Sequence, residues 1–295
     1  MEPEVDSSED ASAIRSIFSG VLCGATANVE DEQYEKIAVL TTEADSPVYN
    51  MTRKRGICLI LNHHTFRKQL SKRRGTVHDK KALIRCFTRL GYQIMHFDDL
   101  EFSQIVKILR DIARMDHTAA DSFVCCVLTH GEDGLLHAYD HPYESQELYN
   151  RFKGDVCTSL CGKPKIFIIQ ACQGFRYDHH VVIVSDSRDE PDSRKYHTIP
   201  TMADFLIALS TVPGYFSWRD LDRGSWYIQR LVEALEENHA KKDTEKEDLV
   251  SILTTVNRRV AYDAGVQATQ SILYKQMPCF QSTLTRKVTF PSIHQ

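Results

Sequence analysis

Two short apolar runs that end on reactive side chains constrain this chain most. One is Phe123-Val124-Cys125-Cys126-Val127-Leu128, which runs into Thr129-His130-Gly131. The other, Ile166-Phe167-Ile168-Ile169, is preceded by Pro164 and followed by Gln170-Ala171-Cys172-Gln173-Gly174. Apolar runs of this length, bounded by turn-forming residues, read as buried strands. Open α/β sheets place their sites at the carboxyl ends of strands. A thiol and an imidazole at two such ends make a nucleophile and its base, provided the strands lie close together in the sheet.

The flanking segments supply the rest of such a fold. Residues 57–61 read as a strand, and 77–90 as a helix with Ala82, Leu83, Cys86, Phe87 and Leu90 on one face. A strand is expected at 92–96, and a helix at 102–114 with Ile105, Ile108, Leu109 and Ile112 inward. A further helix is expected near 145–152, a strand at 205–212, helices at 221–237 and 246–262, and a last strand near 280–289. This alternation predicts an α/β protein with a mostly parallel central sheet of about six strands and helices on both faces. Two segments stand outside the pattern. Residues 175–199 are polar and acid-rich, with Pro191 and the pair His179-His180, and read as an exposed linker. Residues 1–45 hold eleven acids against two bases, and read as a disordered acidic leader that leaves the rest of the chain net positive. Within the leader, Ile14, Ile17, Phe18, Val21 and Leu22 recur at helical spacing, as either a docking helix or one without a partner.

The pentapeptide Gln170-Ala171-Cys172-Gln173-Gly174, with His130 about 40 residues upstream in Thr-His-Gly-Glu-Asp-Gly, resembles the caspase signature. Arg55-Gly56-Ile57-Cys58-Leu59-Ile60-Leu61-Asn62, Arg73-Arg74-Gly75-Thr76, Val212-Pro213-Gly214-Tyr215-Phe216-Ser217-Trp218-Arg219 and Gly224-Ser225-Trp226 resemble caspase segments in caspase order. The resemblance covers residues 49–290 and points to the short-prodomain effector type, the leader being too short for a death-fold adaptor. It implies a caspase-like fold and a cysteine endopeptidase that cuts after aspartate. It further implies a zymogen with a large subunit (46–186) and a small one (187–295) in one domain, a homodimer paired through residues 281–290, and a role as an apoptotic effector.

Roles follow from the resemblance residue by residue. Cys172 is the nucleophile, and His130 the base that later protonates the leaving amine. The backbone N–H groups of Gly131 and Cys172 hold the oxyanion, and the Ser71 carbonyl accepts from the imidazole. Arg73, Gln170 and Arg219 form the pocket for the P1 side chain, where two guanidinium forks and an amide suit one carboxylate. Phe216, Ser217, Trp218 and Trp226 wall the neighbouring subsites. Asp220 stands where many effector members carry Asn, which points to an apolar or mixed P4 rather than an acidic one.

A pocket that reads aspartate implies self-cleavage. The linker offers Asp186 and Asp192, and the leader Asp10 and Asp45, each before a small residue. Cutting after Asp10 exposes Ala11-Ser12-Ala13-Ile14, which resembles the terminus bound by inhibitor-of-apoptosis proteins. An upstream activating caspase and protein substrates are the other expected partners. No cofactor or metal is expected: adjacent histidines such as His63-His64 rarely converge on one ion, and no cysteines carry zinc spacing. The basic stretch 67–74 lacks the interleaved aromatics of a nucleic-acid surface, and no apolar stretch approaches the roughly 18 residues of a membrane helix. Nine scattered cysteines without a C-x-x-C pair, and an acidic amino terminus without an apolar core, place the chain in the cytoplasm. Two other readings remain. A metacaspase-like enzyme would want basic substrates, against which the two arginines argue, and an inactive homologue acting as regulator or scaffold would lack one of the groups present here.

Overall fold

The computed structural model describes residues 45–67, 70–174, 178–179, 201–269 and 272–292. Its main sheet has six strands: β1 (Gly56–Asn62), β2 (Gln93–Asp98), β3 (Ser122–Leu128), β4 (Lys165–Gln170), β5 (Phe205–Leu209) and β6 (Cys279–Ser282). Their order is β6-β5-β4-β3-β1-β2. All neighbours are parallel except the edge pair β6–β5. Strands β1, β3 and β4 are buried along their whole length, so their residues alternate between two cores. Cys58, Ile60, Val124, Cys126, Ile166 and Ile168 face one core, while Leu59, Leu61, Phe123, Cys125, Phe167 and Ile169 face the other.

Helices α1 (Thr76–Arg89), α3 (Trp226–Ala240) and α4 (Leu249–Asp263) cover the first face. Helix α2 (Phe102–Ala113) covers the second through Ile105, Leu109 and Ile112. Local chemistry sets the helix starts. Glu101 and Gln104 close a capping box on α2, and the Asp248 carboxylate accepts from the N–H groups of Val250 and Ser251 at the head of α4.

Five expected boundaries change, the first being the strand expected at 205–212, which ends at Leu209. Residues 145–152 form two 3₁₀ turns, Ser145–Leu148 and Asn150–Phe152, not one helix. Leu148, Tyr149 and Phe152 are all buried there, and the Phe152 ring lies 4.3 Å from that of Phe123. Helix α3 starts at Trp226 rather than near 221, because 219–225 form a small hairpin, Arg219–Asp220 with Gly224–Ser225. Helix α4 starts later than expected because the charged run before it makes a 3₁₀ turn at Asp243–Glu245. The last strand ends at Ser282. Beyond it the chain turns back on the sheet: Thr285 donates its N–H to the Tyr49 hydroxyl (3.0 Å), and Lys287 bridges to Val48.

Candidate active site

Register decides the site. Leu128 of β3 lies beside Gln170 of β4, so His130 and Cys172 each stand two residues beyond the same rung of adjacent parallel strands. The Thr129 N–H donates to the Gln170 carbonyl (3.1 Å) and carries the pairing past the strand ends. Between the two reactive residues lies Gly131. A Cβ there would stand 2.6 Å from the Cys172 carbonyl oxygen and 2.9 Å from the Ala171 Cβ, so only glycine permits this approach.

The imidazole of His130 is bound through Nε2 to the Ser71 carbonyl at 2.8 Å. A carbonyl only accepts, so Nε2 carries the proton and Nδ1 is the basic nitrogen. Phe66 packs on the ring, centroids 4.9 Å apart. Burial, joined by the charges of Arg73 and Arg219, lowers the His130 pKa to about 4 even though the Ser71 contact pulls it up. Burial pushes the Cys172 thiol up, opposed by its contact with the Ser217 carbonyl and by the same two guanidiniums. Its Sγ lies 3.9 Å from that carbonyl.

Arg73 is 1% exposed. Its Nη1 donates to Thr76 Oγ1 (2.8 Å) and to the His63 carbonyl (3.2 Å). Its Nε and Nη2 are buried without a hydrogen-bond partner among the described residues. Burial and the neighbouring Arg219 lower its pKa to about 9. Arg219 is tied in by Nε, which donates to the Arg74 carbonyl (2.7 Å). Gln170 Nε2 donates to Ser217 Oγ (2.7 Å) and closes the far wall. The expected dyad and the expected pocket therefore meet: both guanidiniums act on the Cys172 thiol, and both on the His130 imidazole.

Beside them is an aromatic shelf. Trp218 stacks on Trp226 (5.9 Å) and on Tyr274 (5.6 Å), with Phe216 edge-on to it (5.4 Å). Asp220 sits at the rim, where its Oδ1 accepts from the N–H groups of Asp222 (2.8 Å) and Arg223 (3.0 Å). These bonds hold its carboxyl below the usual range. Asp45 is exposed, whereas Asp10, residues 11–14, Asp186 and Asp192 lie outside the described residues.

Several residues of the site carried no signal in the sequence. Asp79, on α1, is buried under the 219–225 hairpin and accepts from the Ser225 N–H (2.9 Å) and from Gln229 Nε2 (2.8 Å). Gln276 accepts from the Trp218 N–H (2.7 Å) and donates to the Ser210 carbonyl (2.6 Å). Ser210 Oγ in turn donates to the Ala171 carbonyl (2.9 Å), one residue before the thiol. Tyr274 and Phe66 belong to the same group. Nothing in their local context sets them apart from ordinary polar or aromatic positions.

A family model described as caspase domain matches residues 55–289. Caspase-1 of Spodoptera frugiperda is 41% identical over 263 residues, which cover 88% of this chain and 86% of that protein. Caspase-6 of Gallus gallus is 40% identical over 251 residues, 81% of each chain. The crystal structure of caspase-1 from Spodoptera frugiperda superposes with a TM-score of 0.79 at 40% identity, covering 88% of this chain and 99% of that one. No helix among the described residues is long and apolar enough to cross a membrane. With its motifs, its sheet order and its sequence in agreement, the chain belongs to the caspase family of cysteine endopeptidases.

Proposed function

We propose that this protein cuts its protein substrates after aspartate, through Cys172 and His130. The observation that carries the specificity is the buried Arg73 guanidinium, two of whose nitrogens lack partners beside the charge of Arg219. A buried cation left unpaired costs about 3–5 kcal/mol. A substrate carboxylate removes that cost and a neutral side chain does not. A pocket sized for aspartate would exclude glutamate by length.

The chemistry balances on the two side chains. His130 Nδ1 takes the Sγ proton as the sulfur attacks the carbonyl carbon, and the oxyanion rests against the N–H groups of Gly131 and Cys172. Collapse breaks the C–N bond, and the same proton passes from His130 to the departing amine. Water, deprotonated by His130, then cleaves the thioester and restores the thiol. Trp218, Trp226 and Phe216 bind the residues before the cut, and Asp220 disfavours an acidic P4.

The chain is made as a zymogen. Cleavage at Asp186 or Asp192 separates the large subunit (46–186) from the small (187–295), and cleavage at Asp10 or Asp45 trims the leader. An upstream caspase makes the first cut, and the Ala11 terminus offers a site for an inhibitor-of-apoptosis protein. Edge strand β6 has β5 on one side only among the described residues, and a second copy completes the sheet there. The resemblance to effector caspases supports a cytoplasmic role in apoptosis. A positional scan of tetrapeptide reporters tests the reading: aspartate at P1 is expected, with loss of all turnover in Cys172→Ala. Cleavage after lysine or arginine, or no cleavage by the linker-cut protein, would overturn it.

A further inference from the structure

The P1 pocket and the aromatic shelf account for the residues before the scissile bond. They leave a second cleft unexplained on the other side of His130. It has a volume of about 390 Å³ and is lined by Phe66, Leu70, His137, Ala138, Tyr139 and Pro142, among others. It is continuous with the catalytic residues through two contacts. Phe66, its inner wall, packs on the His130 ring at 4.9 Å. The His137 N–H donates to the His130 carbonyl at 3.0 Å. Leu70, next to the Ser71 that holds the imidazole, is 38% exposed at its rim.

The direction of the peptide follows from the proton transfer. Arg73, Gln170 and Arg219 take the side chain before the cut, while the departing amine must meet His130 to be protonated. The peptide after the cut therefore leaves toward Phe66 and His137 and into this cleft. Its walls are mainly carbon, and the polar groups around it already have partners within the protein. Asp140 is bound to His141 at 2.9 Å, Glu132 lies 3.7 Å from His137, and Arg67 lies over the Tyr139 ring while pairing with Glu101. An apolar side chain would bury itself against Phe66, Leu70 and Tyr139.

We propose that this cleft is a specificity site for the leaving half of the substrate: it takes an aliphatic or aromatic side chain from the second or third residue after the cut. The inference rests on the protease reading above.

Internally quenched peptides test it, with a fixed sequence through the P1 aspartate, a small residue at P1′ and variation at P2′ and P3′. Leucine or phenylalanine at one of these positions is expected to raise kcat/KM about tenfold over aspartate or serine. Leu70→Asp on one wall and Tyr139→Ala on the other should each reduce that ratio toward one, and Leu70→Met should keep it. Every value is normalised to the same variant's turnover of an aspartyl amide reporter with no residues after the cut, which removes effects on the dyad. Turnover of the reporter with a flat P2′–P3′ profile, or with a preference for charged residues there, would overturn the inference alone. No turnover of either substrate would overturn the protease reading and the inference together.

Discussion

His130 and Cys172 each sit where burial opposes charge. The imidazole is held neutral, its pKa lowered to about 4, and the thiol is pushed up. The resting pair at neutral pH is therefore imidazole and thiol, not an ion pair, and the nucleophile forms when substrate arrives. Alkylation of Cys172 by iodoacetamide should then rise steadily from pH 6 to pH 9, with no plateau until above the ordinary thiol value of about 8.5; a plateau near pH 6 would contradict this. Arg73 makes the same argument about shape. Lysine keeps the charge but loses the planar fork, and donors that radiate from one nitrogen cannot hold Thr76 and the His63 carbonyl on one side and present a parallel pair to a carboxylate on the other. Arg73→Lys should lower kcat/KM for an aspartyl reporter about 100-fold or more, and reduce the preference for aspartate over asparagine at P1.

At the scale of elements, the pocket depends on a contact between α1 and the 219–225 hairpin. Arg219 pairs in register with Ser225, and the Ser225 hydroxyl and N–H both reach the Asp79 carboxylate. Gly224 lets the hairpin close on that carboxylate, since a Cβ there would come 2.3 Å from Asp79 Oδ1. Asp79 also lies in the field of Arg73. It thus positions the hairpin that carries Arg219. Asp79→Ala should cost about 3 kcal/mol of unfolding free energy, because it leaves the buried Ser225 N–H and hydroxyl and the Gln229 amide without their acceptor, and should raise KM more than it lowers kcat. Urea unfolding and steady-state kinetics on one preparation would check both, and a stability loss with KM unchanged would make Asp79 merely structural.

For the molecule as a whole, buried imidazoles set an acid limit. His63 is fully buried, with Nε2 against the Leu100 carbonyl at 3.2 Å, and burial lowers its pKa to about 4. The unfolded chain titrates near ~6.5. The folded state therefore binds fewer protons than the unfolded state between these values, so the stabilisation is complete above pH 6.5 and is lost as pH falls to about 4. His63 alone accounts for about 3 kcal/mol of that loss, and His130 adds in the same direction. Asp79 and Asp121, whose carboxyls burial pushes up, act in the opposite sense and offset part of it. Urea midpoints measured from pH 7 to pH 4 should fall for the native chain and fall less steeply for His63→Gln.

Sequence alone determined the elements whose signal is local. Apolar runs too short for helices became β3 and β4, helical spacing marked α1 and α2, the residues after the two strands singled out His130 and Cys172, and the family resemblance added Arg73 and Arg219. The Ser71 carbonyl came only from the family resemblance, and the structure places it 2.8 Å from His130 Nε2. Tertiary structure decided the rest, for reasons of distance and exchange of partners. Gln276, Tyr274 and Asp79 reach the site only because β5, the hairpin and α1 are brought together by the sheet, and a polar side chain gives no local sign of a partner a hundred residues away. The helix expected at 145–152 is two 3₁₀ turns instead, although Leu148, Tyr149 and Phe152 are all buried as one helical face would bury them. The last strand stopped at Ser282 because its antiparallel partner β5 begins at Phe205, opposite Thr283, and the chain beyond turns to Tyr49 and Val48. Local patterns record which backbone conformations are cheap, and long-range contacts choose among them.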